Sequence, residues 1–157
     1  MKRFRFSLEA VMTLRRGQHE QALEALGRAS RRHQEAIGVW RDALAEFEKH
    51  LELRRSRSDA SGPDRLRDHE WQTLLEGRLE ARRQDVEKEQ RALMQAHEAL
   101  ALARQALEII EKVRDRRRNH HQEEALKEEQ KLLDEMGRRS VMAHGLLRGQ
   151  DESVLHS

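Results

Sequence analysis

The chain has 157 residues, 36% hydrophobic, 3% aromatic and 38% charged, with no Tyr, no Cys and a single Pro, a composition that excludes a sizeable packed globule and favours long helices. Its 31 Lys and Arg are nearly balanced by 29 Asp and Glu, for a net charge of +2, so pairing within and between helices is expected rather than a polyanion-binding surface. Without cysteine there is no disulfide framework, no thiolate metal site and no cysteine nucleophile.

The chain opens on MKRFRFSLEAVMTLRR. A secretory signal needs an apolar stretch of roughly 7 to 15 residues after its basic start, and here Glu9, Arg15 and Arg16 interrupt the run. No run of apolar residues is long enough to span a bilayer. A cytoplasmic protein with no integral membrane segment is therefore expected.

From about residue 7 to 55 the sequence predicts a first helix. Leu23, Leu26, Ser30, His33, Ile37, Trp40, Leu44, Phe47 and Leu51 alternate at spacings of three and four, the a/d seam of a coiled coil. Punctuation follows in SRSDASGPD, which gathers Ser, Asp, Gly and the only Pro into a loop over residues 56–63. Ser61 or Gly62 can cap the next helix, with Pro63 in its first turn and Asp64 near its positive end.

The second helix is expected over about residues 64–139, and its seam reads Leu75, Leu79, Arg82, Val86, Glu89, Leu93, Ala96, Leu100, Ala103, Leu107, Ile110. Two heptad helices joined by a short loop fold back as an antiparallel pair. Facing residue numbers then add to 119, which pairs Leu44 with Leu75, Trp40 with Leu79, Ile37 with Arg82 and Met12 with Leu107. Ser30 would face Glu89 in a polar middle that fixes register at some cost in stability. At about 1.5 Å per residue the helices measure about 75 and 115 Å, so the second overhangs the first. The predicted fold is all-α, a single elongated coiled-coil domain built as a long two-helix antiparallel hairpin with an overhanging second helix.

The overhang is expected from about Glu111, where KVRDRRRNHHQEE carries no apolar seam. Apolar residues return in ALKEEQKLLDEM, with Leu126, Leu133 and Met136 on one face and Leu132 beside it. Helix 1 cannot reach that face, so its cover is expected from the N-terminal Phe4 and Phe6, a second copy, or another protein. Residues 140–157, with Gly145 and Gly149, are expected to form a flexible tail.

No phosphate loop, nucleophile elbow or paired metal-ligand motif occurs, and a two-helix coil offers no catalytic pocket. His120 and Glu124 have the i, i+4 spacing that can chelate zinc but lack a third ligand. No enzyme activity, cofactor or metal is expected. The run Arg114 to Arg118 would suit phosphates, yet Asp115 interrupts it, Glu123 and Glu124 follow, and no aromatic is interleaved for stacking. Near the hairpin tip Trp40 and Phe47 belong to the seam, whereas Trp71 stands one position off it, beside Gln72, and is the better contact residue.

Two local motifs carry a family resemblance. Phe4-x-Phe6-x-Leu8-Glu9 followed by Val11, Leu14 and Arg15, together with Glu129-Gln130-Lys131 and Asp134-Glu135, resembles the flagellar FliJ proteins of the bacterial type III export apparatus. The resemblance implies a small coiled coil similar to the stalk subunit of rotary ATPases. It would bind and promote the hexameric export ATPase, link it to the membrane export gate, and escort export chaperones. The protein would then lie in the cytoplasm, peripheral at the cytoplasmic face of the inner membrane. On this reading Phe4, Phe6, Leu8, Val11 and Arg15, with Leu126, Gln130, Leu133, Asp134 and Met136, form the ATPase-binding end. Trp40, Phe47, Trp71 and Leu75 form the gate contact. The alternatives are a generic coiled-coil scaffold or secretion chaperone with another client, and a nucleic-acid-binding arm.

Overall fold

The computed structural model describes residues 3–151, with side chains through residue 145. It contains two helices, α1 (Glu9–Ser56) and α2 (Gly62–Asp151), and no strand among the described residues. The chain divides into two compact units: Thr13–Glu108, which holds the hairpin, and Met1–Met12 with Ile109–Ser157.

Within the hairpin unit the seam follows from the heptad spacing. On α1 the side chains turned inward include Leu26, Ser30, His33, Ile37, Trp40, Leu44, Phe47 and Leu51; on α2 they include Leu75, Leu79, Val86, Glu89, Leu93, Ala96, Leu100, Ala103 and Leu107. Only Ala29 and Leu75 in this unit are fully buried, each 2% exposed. That is the physical limit of the architecture, because each seam residue has one facing helix to hide against rather than a surrounding shell. The protein is thus an all-α, two-helix coiled-coil hairpin.

The register departs from a constant sum of 119. Arg32 pairs with Glu89 at 3.5 Å, Glu46 with Arg78 at 3.9 Å and Arg57 with Asp68 at 3.6 Å, each reaching further along α2 than that constant allows. The 119 register assumes a turn centred between residues 59 and 60. Instead residues 62–67 of α2 are exposed and Asp68 is the first residue of α2 turned inward, so α2 completes more than one turn before it meets α1. Arg82, expected in the seam opposite Ile37, is exposed and pairs with Asp85 at 3.2 Å on its own helix.

The loop spans residues 57–61. Ser56 donates its hydroxyl to the Leu53 carbonyl at 2.8 Å, closing α1. Ser61 caps α2: its hydroxyl accepts from the Asp64 amide at 3.4 Å and donates to Asp64 Oδ2 at 2.5 Å. The Asp64 carboxylate also accepts from the Ser61 backbone N–H, which completes a capping box with Asp in place of Glu. The Ser61 hydrogen bond, assisted by the charges of Arg67 and Arg57, holds the Asp64 carboxyl below its ordinary pKa.

In the second unit, helix persists where a flexible tail is expected: α2 continues through residues 140–151. Nothing in that stretch removes a backbone donor; Gly145 and Gly149 each cost only about 1 kcal/mol against Ala, and no Pro follows Arg139. Residues 152–157 lie outside the described ones. The glycines of the helices stand in open space, since a Cβ added at Gly17, Gly27, Gly38, Gly77 or Gly137 would meet nothing within 4 Å. Close packing is therefore not their purpose.

Candidate interaction surfaces

The first surface lies in the unit that joins the N-terminal segment to the distal part of α2. Residues 3–6 run without regular structure, and α1 starts with the Glu9 amide donating to the Phe6 carbonyl at 3.2 Å and the Met12 amide to the Leu8 carbonyl at 3.0 Å. This segment lies along the polar run of α2. Arg117 donates to the Ser7 hydroxyl at 2.6 Å and holds its guanidinium 5.9 Å from the Phe6 ring centroid, a cation–π contact. The Phe4 and His121 rings meet at 5.6 Å, tilted by 59°. Arg114 reaches the Met12 sulfur at 3.8 Å while binding Asp115 through two nitrogens. Met12 is completely buried, and Phe4, Phe6 and Leu8 are half-buried.

The polar run expected to lack a partner therefore has one. Phe4 and Phe6 are spent on His121 and Arg117, N-terminal on α2 to the apolar face they were candidates to cover. That face stays bare: Leu126 is 63% exposed, Leu133 62% and Met136 67%. Leu132, Val141 and Met142 are equally open, and Gln130 and Asp134 are exposed beside them. Val11 is 37% exposed. Arg15 is half-buried in α1 and its guanidinium donates to Gln18 at 3.0 Å.

The second surface is the tip of the hairpin unit. Trp40 and Phe47 are half-buried and Leu75 is buried, so these three support the tip from within the seam. Trp71 is 42% exposed, with the Arg78 guanidinium 5.6 Å from its ring centroid. Beside it lies a cavity of about 420 Å³ lined by His50, Arg54, Arg57, Arg67 and Asp68. Arg54 hydrogen-bonds Gln72 across the hairpin.

Among the described residues no group of three His, Asp or Glu could hold a metal ion. His120 Nδ1 and Glu124 stand 3.6 Å apart and exposed. No helix is long and apolar enough to cross a membrane, again among the described residues.

Both surfaces fall within a match to a protein-family model described as Flagellar FliJ protein, which covers residues 4–146. The chain belongs to the FliJ family. It is a flagellar export-related protein of a family whose members are non-catalytic, helical coiled-coil components of that machinery. No curated protein and no solved structure matches it.

The residues of this FliJ-family chain that sequence reasoning passed over are Arg114, Arg117 and His121. Their signal was present in the numbering. Ile110, Arg114, Arg117 and His121 continue the alternation of four and three that defines the α2 seam. The seam spacing persists through the polar run, with Arg114 and His121 half-buried and Arg117 exposed against Ser7 and Phe6, and apolar periodicity alone does not reveal it. Their partner, a segment without regular structure, carries no periodicity to pair with.

Proposed function

We propose that this protein is a non-enzymatic, stalk-like adaptor of the flagellar type III export apparatus, which binds the hexameric export ATPase, promotes its activity and links it to the membrane export gate. The observation that carries the reading is the bare face of Leu126, Leu133 and Met136. Three large apolar side chains at 62 to 67% exposure on a helix whose neighbouring polar run is already covered call for a partner protein. Gln130 and Asp134 supply polar contacts on the same stretch. Phe4, Phe6 and Leu8 act by fixing the N-terminal segment on α2, with Val11 and Arg15 continuing that end along α1. At the other surface Trp71 makes the gate contact, backed by Trp40, Phe47 and Leu75. The protein works in the cytoplasm at the inner-membrane face, and it also escorts export chaperones.

The test is ATP hydrolysis by the export ATPase of the same organism in the presence of the full chain or of Leu126→Ser/Leu133→Ser/Met136→Ser. These side chains are largely exposed among the described residues, so helicity by circular dichroism should be unchanged. Stimulation by the parent chain that disappears in the triple variant is the expected result. Equal stimulation by both would remove this face from the ATPase contact, and none by either would remove the adaptor reading.

A further inference from the structure

The bare stretch of α2 carries a heptad seam of its own. Leu126, Glu129, Leu133, Met136, Ser140 and Ala143 recur at spacings of three and four, the alternation that aligns one stripe of a helix with a facing helix. All six are exposed, and they lie on one unbroken helix within one compact unit. Leu132 flanks the stripe, 62% exposed. A stripe of this kind is built to meet a second helix, and its charges and its two polar members say which.

Residues 123–129 carry four Glu and one Lys, whereas residues 137–145 carry two Arg and no Asp or Glu. A copy of the same helix laid parallel and in register sets like charges side by side. Laid antiparallel, it sets the acidic end against the basic end twice. In that orientation the positions Leu126, Leu133 and Ser140 meet Glu129, Met136 and Ala143, with facing residue numbers adding to 269. Leu133 then packs on Met136 in the two central layers, Leu126 on Ala143 in the outermost, and the Ser140 hydroxyl can donate to the Glu129 carboxylate in between. A slip of one heptad in either direction sets Glu129 against a leucine instead, a buried carboxylate without a donor. In the 269 register Arg139 also lies beside Glu128 and Glu129 of the other copy. Its side chain is 79% exposed and touches Glu135 of its own helix through one nitrogen at 2.9 Å, which leaves further donors of the guanidinium fork for a second carboxylate.

We propose that this stretch pairs with a second copy of the same chain as a short antiparallel two-helix coil, centred between Asp134 and Glu135. The contact is isologous, each copy giving the other the same residues, so it closes at two chains. Six layers make a contact smaller than the stable interfaces of roughly 1,200 Å² or more, and the dimer forms in the range of about 10 to 100 μM. A paired chain covers Leu126, Leu133 and Met136 and cannot offer them to another protein. The inference goes beyond the adaptor reading and does not depend on it.

The test is sedimentation equilibrium of the full chain from about 5 to about 500 μM, with Glu129→Arg, Arg139→Glu and the double exchange Glu129→Arg/Arg139→Glu. The mass of the parent should rise from one chain toward two and stop there. Each single exchange sets like charges together twice in the symmetric pair and should weaken association about tenfold or more. The double exchange restores opposite charges across the pair, and an equimolar mixture of the two single variants does so in a heterodimer, so both should associate like the parent. Arg139→Glu also removes the contact with Glu135. The double variant retains that loss, so its recovery isolates the contact between copies. Circular dichroism verifies that each variant keeps its helix. A mass that does not change with concentration, a mass that climbs past two chains, single exchanges that associate like the parent, or a mixture that does not recover would each overturn the antiparallel pair. Stimulation of the export ATPase is read alongside: a pair that forms without stimulation keeps this inference and removes the adaptor reading, and stimulation by a chain that stays monomeric throughout does the reverse.

Discussion

Leu75 and Leu133 are the same side chain in the same helix, yet one is 2% exposed and the other 62%. Each sits in a helical setting of Leu, Glu and Arg, so the difference does not arise from local sequence. In the hairpin unit α1 supplies the facing surface. In the other unit the N-terminal segment meets α2 as far along as His121, and among the described residues nothing buries Leu126, Leu133 or Met136 beyond it. Apolar residues at helical spacing are a demand for a partner, and the two regions differ in whether the chain itself meets that demand.

The sharpest way to break this comparison is to truncate each leucine. Leu75→Ala removes a buried side chain from a thin seam and should destabilise the hairpin by about 2 to 4 kcal/mol. Leu133→Ala should change stability by less than about 0.5 kcal/mol, since exposed positions away from caps and pairs are nearly neutral. Urea unfolding of the full chain followed by circular dichroism measures both. Equal losses would mean that the face around Leu133 is buried in the isolated protein, by a second copy if the loss depends on protein concentration.

A second variant asks how firmly the N-terminal segment is held. Arg117→Ala removes both the hydrogen bond to Ser7 and the contact with the Phe6 ring. Amide exchange at Leu8, Glu9 and Met12 should accelerate about tenfold, for a loss on the order of 1 to 2 kcal/mol, while residues 30–50 of α1 keep their protection. Unchanged exchange at the N-terminus would show that Met12 burial alone fixes the segment.

This contrast also explains what could be read in advance. The two helices, their loop and the inward position of Leu75, Trp40 and Phe47 were legible because apolar heptads and the Ser-Gly-Pro cluster each have a single simple physical meaning. The bare face of Leu126, Leu133 and Met136 was legible for the same reason. The register was not, because it depends on how many residues of α2 pass before it touches α1, a property of loop geometry around residues 57–61. Nor was the contact of Phe4 with His121 and of Phe6 with Arg117, since a tilted ring contact and cation–π pairing leave no periodic trace in a six-residue segment. The extension of helix through 140–151 escaped for a third reason: glycine lowers helix stability without forbidding helix.

The glycines separate the regions more finely. At Gly38 and Gly77 in the hairpin a Cβ meets nothing within 4 Å, and both lie in helix, so Gly38→Ala and Gly77→Ala should each stabilise by about 1 kcal/mol through reduced unfolded-state freedom and better helix propensity. Gly137→Ala, equally open but on a stretch of α2 that contributes no seam burial, should raise helicity there while leaving the hairpin midpoint in urea unchanged. A midpoint shift for Gly137→Ala as large as for Gly77→Ala would mean that the two regions unfold as one.

The smallest expected effect sits at the cap of α2, where it tests the start of the hairpin alone. Asp64 is held below its ordinary pKa, first by the Ser61 hydroxyl and then by Arg67 and Arg57. A carboxylate with a depressed folded pKa binds fewer protons in the folded chain than in the unfolded one. Its contribution is fully present above the unfolded value of about 4 and is lost as pH falls below it. Hairpin stability should therefore decline as pH falls below about 4, with a component that Asp64→Asn removes. Because the carboxylate is exposed, that component should also shrink with added salt. Ser61→Ala should remove the largest part of that component, leaving what the Ser61 backbone N–H, Arg67 and Arg57 contribute, and in addition cost about 1 kcal/mol at neutral pH, through loss of the cap to the Asp64 amide. If Asp64→Asn leaves the acid limb of the stability curve untouched while Ser61→Ala lowers stability at every pH, the cap acts through its backbone hydrogen bond alone.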